Sequence, residues 1–326
     1  MRQAFRADEQ KNVSPLCFTV SVRLSVVHQI TSCATAVMPT SHTVEHPAEL
    51  LAFLLVCHRA TKKTKVRQWL KHGSVHVNGQ SVTRFNHLLK IGDLVSIRAR
   101  DEMRAESLLP RGMDVVFEDP SLIVIEKPAN LLSMASETER EKTAYACLTD
   151  YVRRGNPRSP ERVWIVHRLD RETSGLMVFA RTEAAKRTLQ KHWQETEKRY
   201  LAVVEGKPPA DHGVLESHLD ESRLFKVYSA PPSERTRLAV THYRVIRRTA
   251  TGAFLELKLE TGRRNQIRVH LADAGCPVIG DQKYEARTNP AGRLGLHASF
   301  LEFPHPLTRE LVTFESTLPP VLSRLI

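Results

Sequence analysis

The sequence predicts an α+β protein: a mixed, mostly antiparallel sheet with flanking helices, preceded by a small N-terminal α/β module. Three observations carry that expectation. Apolar, β-branched runs with strand composition recur from Val115 to Leu259. Helical segments interrupt them irregularly, without the strand–helix–strand rhythm of a parallel sheet. Residues 44–100 hold two helix signals, a hairpin and a further strand in a compact stretch ahead of all of these.

Residues 1–43 read as a disordered extension. Residues 13–38 are mildly apolar, but Arg23 and His28 interrupt them and Asp8 and Glu9 precede them, a poor pattern for a signal peptide or a membrane span. Met38, followed by a polar lead and a helix, is a candidate natural start. From Pro47, ELLAFLLVCH predicts a short, largely buried helix, and KVRQWLKHG a second one closed by Gly73. SVHVNGQSV alternates around Asn78-Gly79, a strong hairpin signal, and LLKIGDLVSI reads as turn and strand. Residues 44–100 thus form one module. Residues 101–111 are charged, lack alternation and run into Pro110 and Gly112, which suits a linker. The large domain spans 112–326.

In that domain VVFEDPSLIVIE predicts two strands about an Asp-Pro turn, and TAYACLTDYVRR an amphipathic helix. TEAAKRTLQKHWQE predicts a helix with a Thr N-cap. KRYLAVVEG, LAVTHYRVIRR and AFLELKLE read as strands, and QIRVHLADAG as a helix ending at Gly275. The organising stretch is VWIVHRLDRETSGLMVFART, Val163 to Thr182. Its two apolar runs predict strand, tight loop, strand, with Asp170 on the loop between Arg168 and Arg171. An isolated Asp there would be most simply a turn residue making an Asx bond.

The chain carries 48 Lys and Arg against 36 Asp and Glu, a formal net charge of +12, which favours a polyanionic partner. The surplus is clustered: residues 44–100 hold ten basic side chains against Glu45, Glu49 and Asp93. Lys62, Lys63, Lys65, Arg67 and Lys71 lie along the second helix and its lead, with no acid between Arg59 and Lys71, so they are candidate phosphate contacts. Cys17, Cys33, Cys57, Cys147 and Cys276 are odd in number and scattered, without zinc-type spacing; they read as reduced thiols of a cytoplasmic protein. Neither a Walker-type glycine loop nor a G-x-G-x-x-G fingerprint is present.

HRLDRETSGLMVFA closely resembles the signature of the RluA-type pseudouridine synthases. Further segments are similar to the same family in the same order, from MDVVFEDPSLIVIEKP to LGLHASFLEFPHP. GSVHVNGQSVT…LLKIGDLVSI resembles the alpha-L RNA-binding module of a small-subunit ribosomal protein over about residues 46–98. These resemblances imply a mixed sheet with helices around an RNA cleft, and isomerisation of uridine to pseudouridine without a cofactor: C1′–N1 breaks, the base rotates and C1′–C5 forms. They imply that Asp170 is catalytic, whether by attacking C1′, by adding to the base or by removing a ribose proton. Tyr200, in EKRYLAVVEG, lies against the target base and handles the C5 proton; Ile267 packs beneath it; Arg168 enters the RNA stack where the nucleotide turns out. Arg268 pairs with Asp170 and favours its charged form, through an expected two-pronged contact. His167 braces the loop, and Lys127-Pro128 and His297 shape the cleft wall. Where the family commonly has His before Gln-Ile-Arg, this chain has Asn265, which hydrogen-bonds but carries no charge.

The expectation is therefore an RNA pseudouridine synthase, acting as a monomer away from membranes, with ribosomal RNA favoured as partner and transfer RNA the alternative. Two rival readings are a catalytically idle RNA-binding or ribosome-assembly factor on the same scaffold, which the joint presence of Asp170, Tyr200 and Arg268 opposes, and a metal-dependent nuclease or glycosidase, for which the chain lacks a ligand set.

Overall fold

The computed structural model describes residues 40–97, 108–222 and 226–326. Most of the predicted extension, including the candidate start at Met38, and most of the predicted linker lie outside the described residues. Among the described residues the chain divides into two compact units, one comprising Pro110–Leu148 and Arg162–Ile326, the other residues 40–97 and 108–109 together with Thr149–Glu161. The second grouping departs from the sequence expectation, which placed Thr149–Glu161 in the large domain; contacts rather than chain order define the unit.

In the small unit, strands β1 (Thr40–Thr43) and β2 (Ala48–Glu49) lead into helices α1 (Leu50–Cys57) and α2 (Lys63–Lys71). Strands β3 (Val75–Val77), β4 (Gln80–Ser81), β5 (Leu88–Leu89) and β6 (Leu94–Ile97) follow. One sheet has the order β1-β6-β3-β4, and β2 pairs with β5. Thr40–Thr43 were expected to be disordered; instead they pair antiparallel with β6, from Thr40 opposite Ile97 to Thr43 opposite Leu94. That strand is short and polar, so its order comes from the β6 edge and not from local composition. Gly73 (φ 71°) closes α2, with its N–H bonded to Leu70 O and that of Ser74 to Trp69 O. Asn78 (φ 51°) and Gly79 (φ 80°) make the β3–β4 turn. Leu50 and Leu54 of α1 pack with Val66 and Leu70 of α2 over Val75 and Val95, all fully or nearly fully buried.

The large unit contains β7 (Asp114–Glu118), β8 (Leu122–Lys127), α3 (Ala144–Val152), whose end belongs to the other unit, β9 (Trp164–Ile165) and β10 (Ser174–Ala180). Then come α4 (Glu183–Lys191), β11 (Glu197–Glu205), β12 (His212–Asp220), β13 (Tyr228–Ala230), β14 (Thr236–Arg248) and β15 (Gly252–Leu259). The chain ends with α5 (Gln266–Asp273), β16 (Leu296–Pro304), β17 (Leu311–Glu315) and α6 (Pro320–Ser323). The strands form one sheet, β13-β12-β14-β15-β11-β16-β10-β8-β7, with β17 added against β16 and β9 against β10. It is mixed and mostly antiparallel, as expected. The strand–loop–strand reading of the central stretch also holds: β9 and β10 pair antiparallel, Phe179 opposite Ile165. Every residue of β10 is buried.

The parallel ladder of this sheet joins β10 to β16, Ser174 opposite His297 and Gly175 opposite Ala298. Gly175 has φ +117°, and a Cβ there would stand 2.2 Å from Ala298 O, so the two backbones meet only because no side chain intervenes. Gly175→Ala is expected to destabilise the large unit by on the order of 3 kcal/mol, combining a disfavoured dihedral with a backbone clash. A melting temperature equal to that of the wild type would refute this.

Candidate active site

The loop from Val166 to Thr173 leaves β9 and enters β10, and it is pinned on its inner side. Val166 and Leu169 are buried apolar residues. Ser133 brackets Leu169, donating to its carbonyl at 2.7 Å and accepting from its N–H at 3.1 Å. His167 stacks on Trp193 with ring centroids 4.4 Å apart, and its Nε2 accepts the Val178 N–H at 3.0 Å. Burial drives its pKa down to about 3; the ring is neutral and braces the loop, as expected.

Lys127, the last residue of β8, has no exposed surface. Its Nζ donates to the carbonyls of Pro128 (2.9 Å), Leu131 (2.8 Å) and Arg171 (3.3 Å). Three acceptors match the three donors of an ammonium, so one buried side chain ties the chain after β8 to the loop that carries Asp170. Burial pulls its pKa down to about 7, against the charge of Asp170.

His297, on β16, is also buried. Its Nδ1 lies 2.9 Å from Ser174 Oγ and its Nε2 3.0 Å from Ser316 Oγ, and burial together with Arg293 lowers its pKa to about 3. It is itself a rung of the β10–β16 ladder, opposite Ser174, and is not among the residues that line the cleft around Asp170.

Helix α5 supplies the other side of the site. Gln266 fastens its start: the side-chain oxygen accepts from Arg263 N–H (3.0 Å) and Thr261 Oγ1 (2.7 Å), and the amide nitrogen donates to Val240 O and Thr241 Oγ1, both at 2.9 Å. Arg168, Asp170, Tyr200, Ile267 and Arg268, far apart in sequence, line one narrow cleft with Asn265. Ile267 is buried and Arg168 exposed. Tyr200 sits on β11 opposite Leu257 and Ala298. Burial, and secondly the charge of Asp170, pushes its phenol upward.

Arg268 Nη1 lies 3.6 Å from Asp170 Oδ2 and 3.1 Å from Glu172 Oε2. Its fork points elsewhere: Nε donates to Asp281 Oδ2 at 2.6 Å and Nη2 to Asp281 Oδ1 at 2.8 Å. The expected two-pronged contact with Asp170 is therefore corrected. Asp281 is 1% exposed and takes the bidentate contact because a buried carboxylate needs full pairing; one remaining nitrogen faces Asp170 and Glu172. Burial works against the guanidinium, but the bonds and charge of Asp281 outweigh it, and the pKa moves up. The sequence offered no signal for Asp281. Glu172 lay in plain view within HRLDRETSG.

The basic set lies in the other unit. Lys62, Lys63, Lys65, Arg67 and Lys71 are all exposed. Lys62 is the N-cap of α2, whose first turn holds no acid; cations at that end oppose the helix dipole.

The family model described as RNA pseudouridylate synthase matches residues 121–273, and the S4 domain matches residues 56–95. Over 84% of its length the chain is 32% identical to the uncharacterized RNA pseudouridine synthase YlyB of Bacillus subtilis, 91% of which is covered. The chain belongs to the RNA pseudouridylate synthase family. It is accordingly an isomerase acting on RNA, with an RNA-binding S4 domain. It is also 34% identical to ribosomal large subunit pseudouridine synthase D of Neisseria meningitidis serogroup B, over 79% of this chain and 72% of that one. Among solved structures, human RNA pseudouridylate synthase domain containing 4 is 25% identical, with a TM-score of 0.55 over 69% of this chain and 94% of that one. Among the described residues, no helix is long and apolar enough to cross a membrane.

Proposed function

We propose that the protein isomerises specific uridines of ribosomal RNA, with Asp170 as the catalytic carboxylate and no cofactor. The observation that carries this reading is the placement of Asp170: a carboxylate on a loop pinned by Ser133, His167 and Lys127, facing a cleft shared with Tyr200, Ile267 and Arg268. Ribosomal RNA is favoured because a relative that aligns over most of both chains is a ribosomal large subunit enzyme. A carboxylate held beside a guanidinium suits attack on, or proton removal from, the sugar around the scissile bond.

Burial, and secondly the charge of Asp170, disfavours a Tyr200 phenolate, so Tyr200 enters the reaction as a neutral phenol. Arg168, exposed at the cleft mouth, is suited to fill the stack vacated by the turned-out nucleotide. The protein is proposed to work as a monomer in the cytoplasm.

Pseudouridine maps of total RNA with and without the gene test the substrate: lost positions in ribosomal RNA support the reading, and losses confined to transfer RNA overturn it. The basic set of α2 is proposed to track phosphates. Replacing Lys62, Lys63, Lys65, Arg67 and Lys71 together by Gln is expected to weaken RNA binding and reduce the slope of log affinity on log salt by about 2 to 4, one counterion or so per lost contact. An unchanged slope in a KCl series would show an ordinary solvated face.

A further inference from the structure

Asn265 departs from the expected motif and is bound directly to the carboxylate proposed to do the chemistry. Its Nδ2 donates to Asp170 Oδ2 at 2.6 Å, closer than any nitrogen of Arg268. Its Oδ1 lies 3.2 Å from Lys283 Nζ and 3.3 Å from the Tyr284 hydroxyl. These neighbours fix which way the amide faces. An ammonium has only protons to give and a carboxylate only lone pairs, so the amide nitrogen must face Asp170 and the oxygen Lys283.

Local structure does not explain the residue. Asn265 is the N-cap of α5, where an Asn side chain ordinarily accepts a hydrogen bond from the first turn; here it caps nothing. Gln266 does the tethering at that helix end instead. The backbone of Asn265 is left-handed, φ 53° and ψ 18°, a conformation that Asn tolerates better than most residues and glycine best. The residue is 7% exposed, and its amide is turned away from the helix and aimed into the cleft.

We infer that Asn265 is the positioning residue of Asp170: its amide, oriented by Lys283, fixes Oδ2 so that the other carboxylate oxygen is presented to the ribose. The inference rests on the reading of Asp170 as catalyst. In this arrangement the alignment of Asp170 is divided between a neutral donor on α5 and a cation. The cation is itself occupied by Asp281, so the amide supplies the shorter and more directional bond. Lys283 bonds the amide oxygen, on the side opposite the nitrogen given to Asp170, and in addition feels the charge of Asp170 directly.

Single-turnover pseudouridine formation at saturating RNA, with RNA affinity measured separately, tests this. Asn265→Gly keeps the left-handed backbone and removes the amide; the rate is expected to fall about 10- to 100-fold, the worth of one hydrogen bond to a charged group, with affinity unchanged within about threefold. Asn265→Asp keeps shape and backbone but sets a second carboxylate against Asp170, and is expected to fall further. Lys283→Met is expected to slow the wild type more than the Asn265→Gly protein, since the part of its effect that passes through the amide is gone while its direct charge effect on Asp170 remains. Wild-type rates in both Asn265 variants, with Asp170→Asn inactive, overturn the inference alone. An active Asp170→Asn protein overturns the reading of Asp170 as well.

Discussion

Asp170→Asn is expected to abolish pseudouridine formation, by at least about 10⁴-fold in the single-turnover rate, while leaving RNA affinity near that of the wild type. The amide keeps the shape of the side chain but has neither the nucleophilicity nor the basicity of a carboxylate. The loop should survive the change, because its anchors are Ser133 on Leu169, His167 on Val178 and Lys127 on Arg171, none of which uses the Asp170 carboxylate. The melting temperature should therefore move by a few degrees at most. Product accumulating at a near-normal rate would remove Asp170 from the mechanism, whatever its neighbours are doing.

The second large effect concerns Arg268, through a partner that does not face the cleft directly. Arg268→Lys retains a charge but cannot hold both oxygens of Asp281 while also reaching Asp170 and Glu172. It is expected to lower the single-turnover rate about 10²- to 10³-fold. Arg268→Ala strands the buried carboxylate of Asp281 and is expected to cost about 3 to 5 kcal/mol of stability, so its loss of activity would be ambiguous. Asp281→Asn resolves the ambiguity: the guanidinium stays charged beside Asp170 but loses its bidentate anchor. If orientation is what Arg268 contributes, this variant should lose rate with RNA affinity intact. A wild-type rate in Asp281→Asn would show that charge alone matters and that the Asp281 fork is structural.

Much of the site was legible in the residues. The HRLDRETSG match pointed to Asp170 and Arg168, and Tyr200, Ile267 and Arg268, identified by resemblance in two other segments, line the same cleft with them. The hairpin at Asn78-Gly79 and the Gly73 cap were legible because they depend on a few adjacent dihedrals. In the large unit four strands were not anticipated: His212–Asp220, Tyr228–Ala230, Leu296–Pro304 and Leu311–Glu315. In the first of these, half-buried and exposed positions far outnumber the two buried ones, Gly213 and Leu219. With a pattern that irregular, what orders the strand is its ladder to β14 and not its own alternation.

The sequence by itself determined the family, the class of fold, the position of the candidate catalytic carboxylate and the clustering of charge on α2. Each of these is written in contiguous residues or in the mere presence of a residue type. Only the tertiary structure decided the partners: that Arg268 spends its fork on Asp281, that Asn265 faces Asp170 and not its own helix, that the buried Nζ of Lys127 meets three carbonyls, and that Thr40–Thr43 join a sheet. Hydrogen bonds reach about 3 Å and join residues far apart along the chain, so which donor meets which acceptor is settled by how the strands and helices pack.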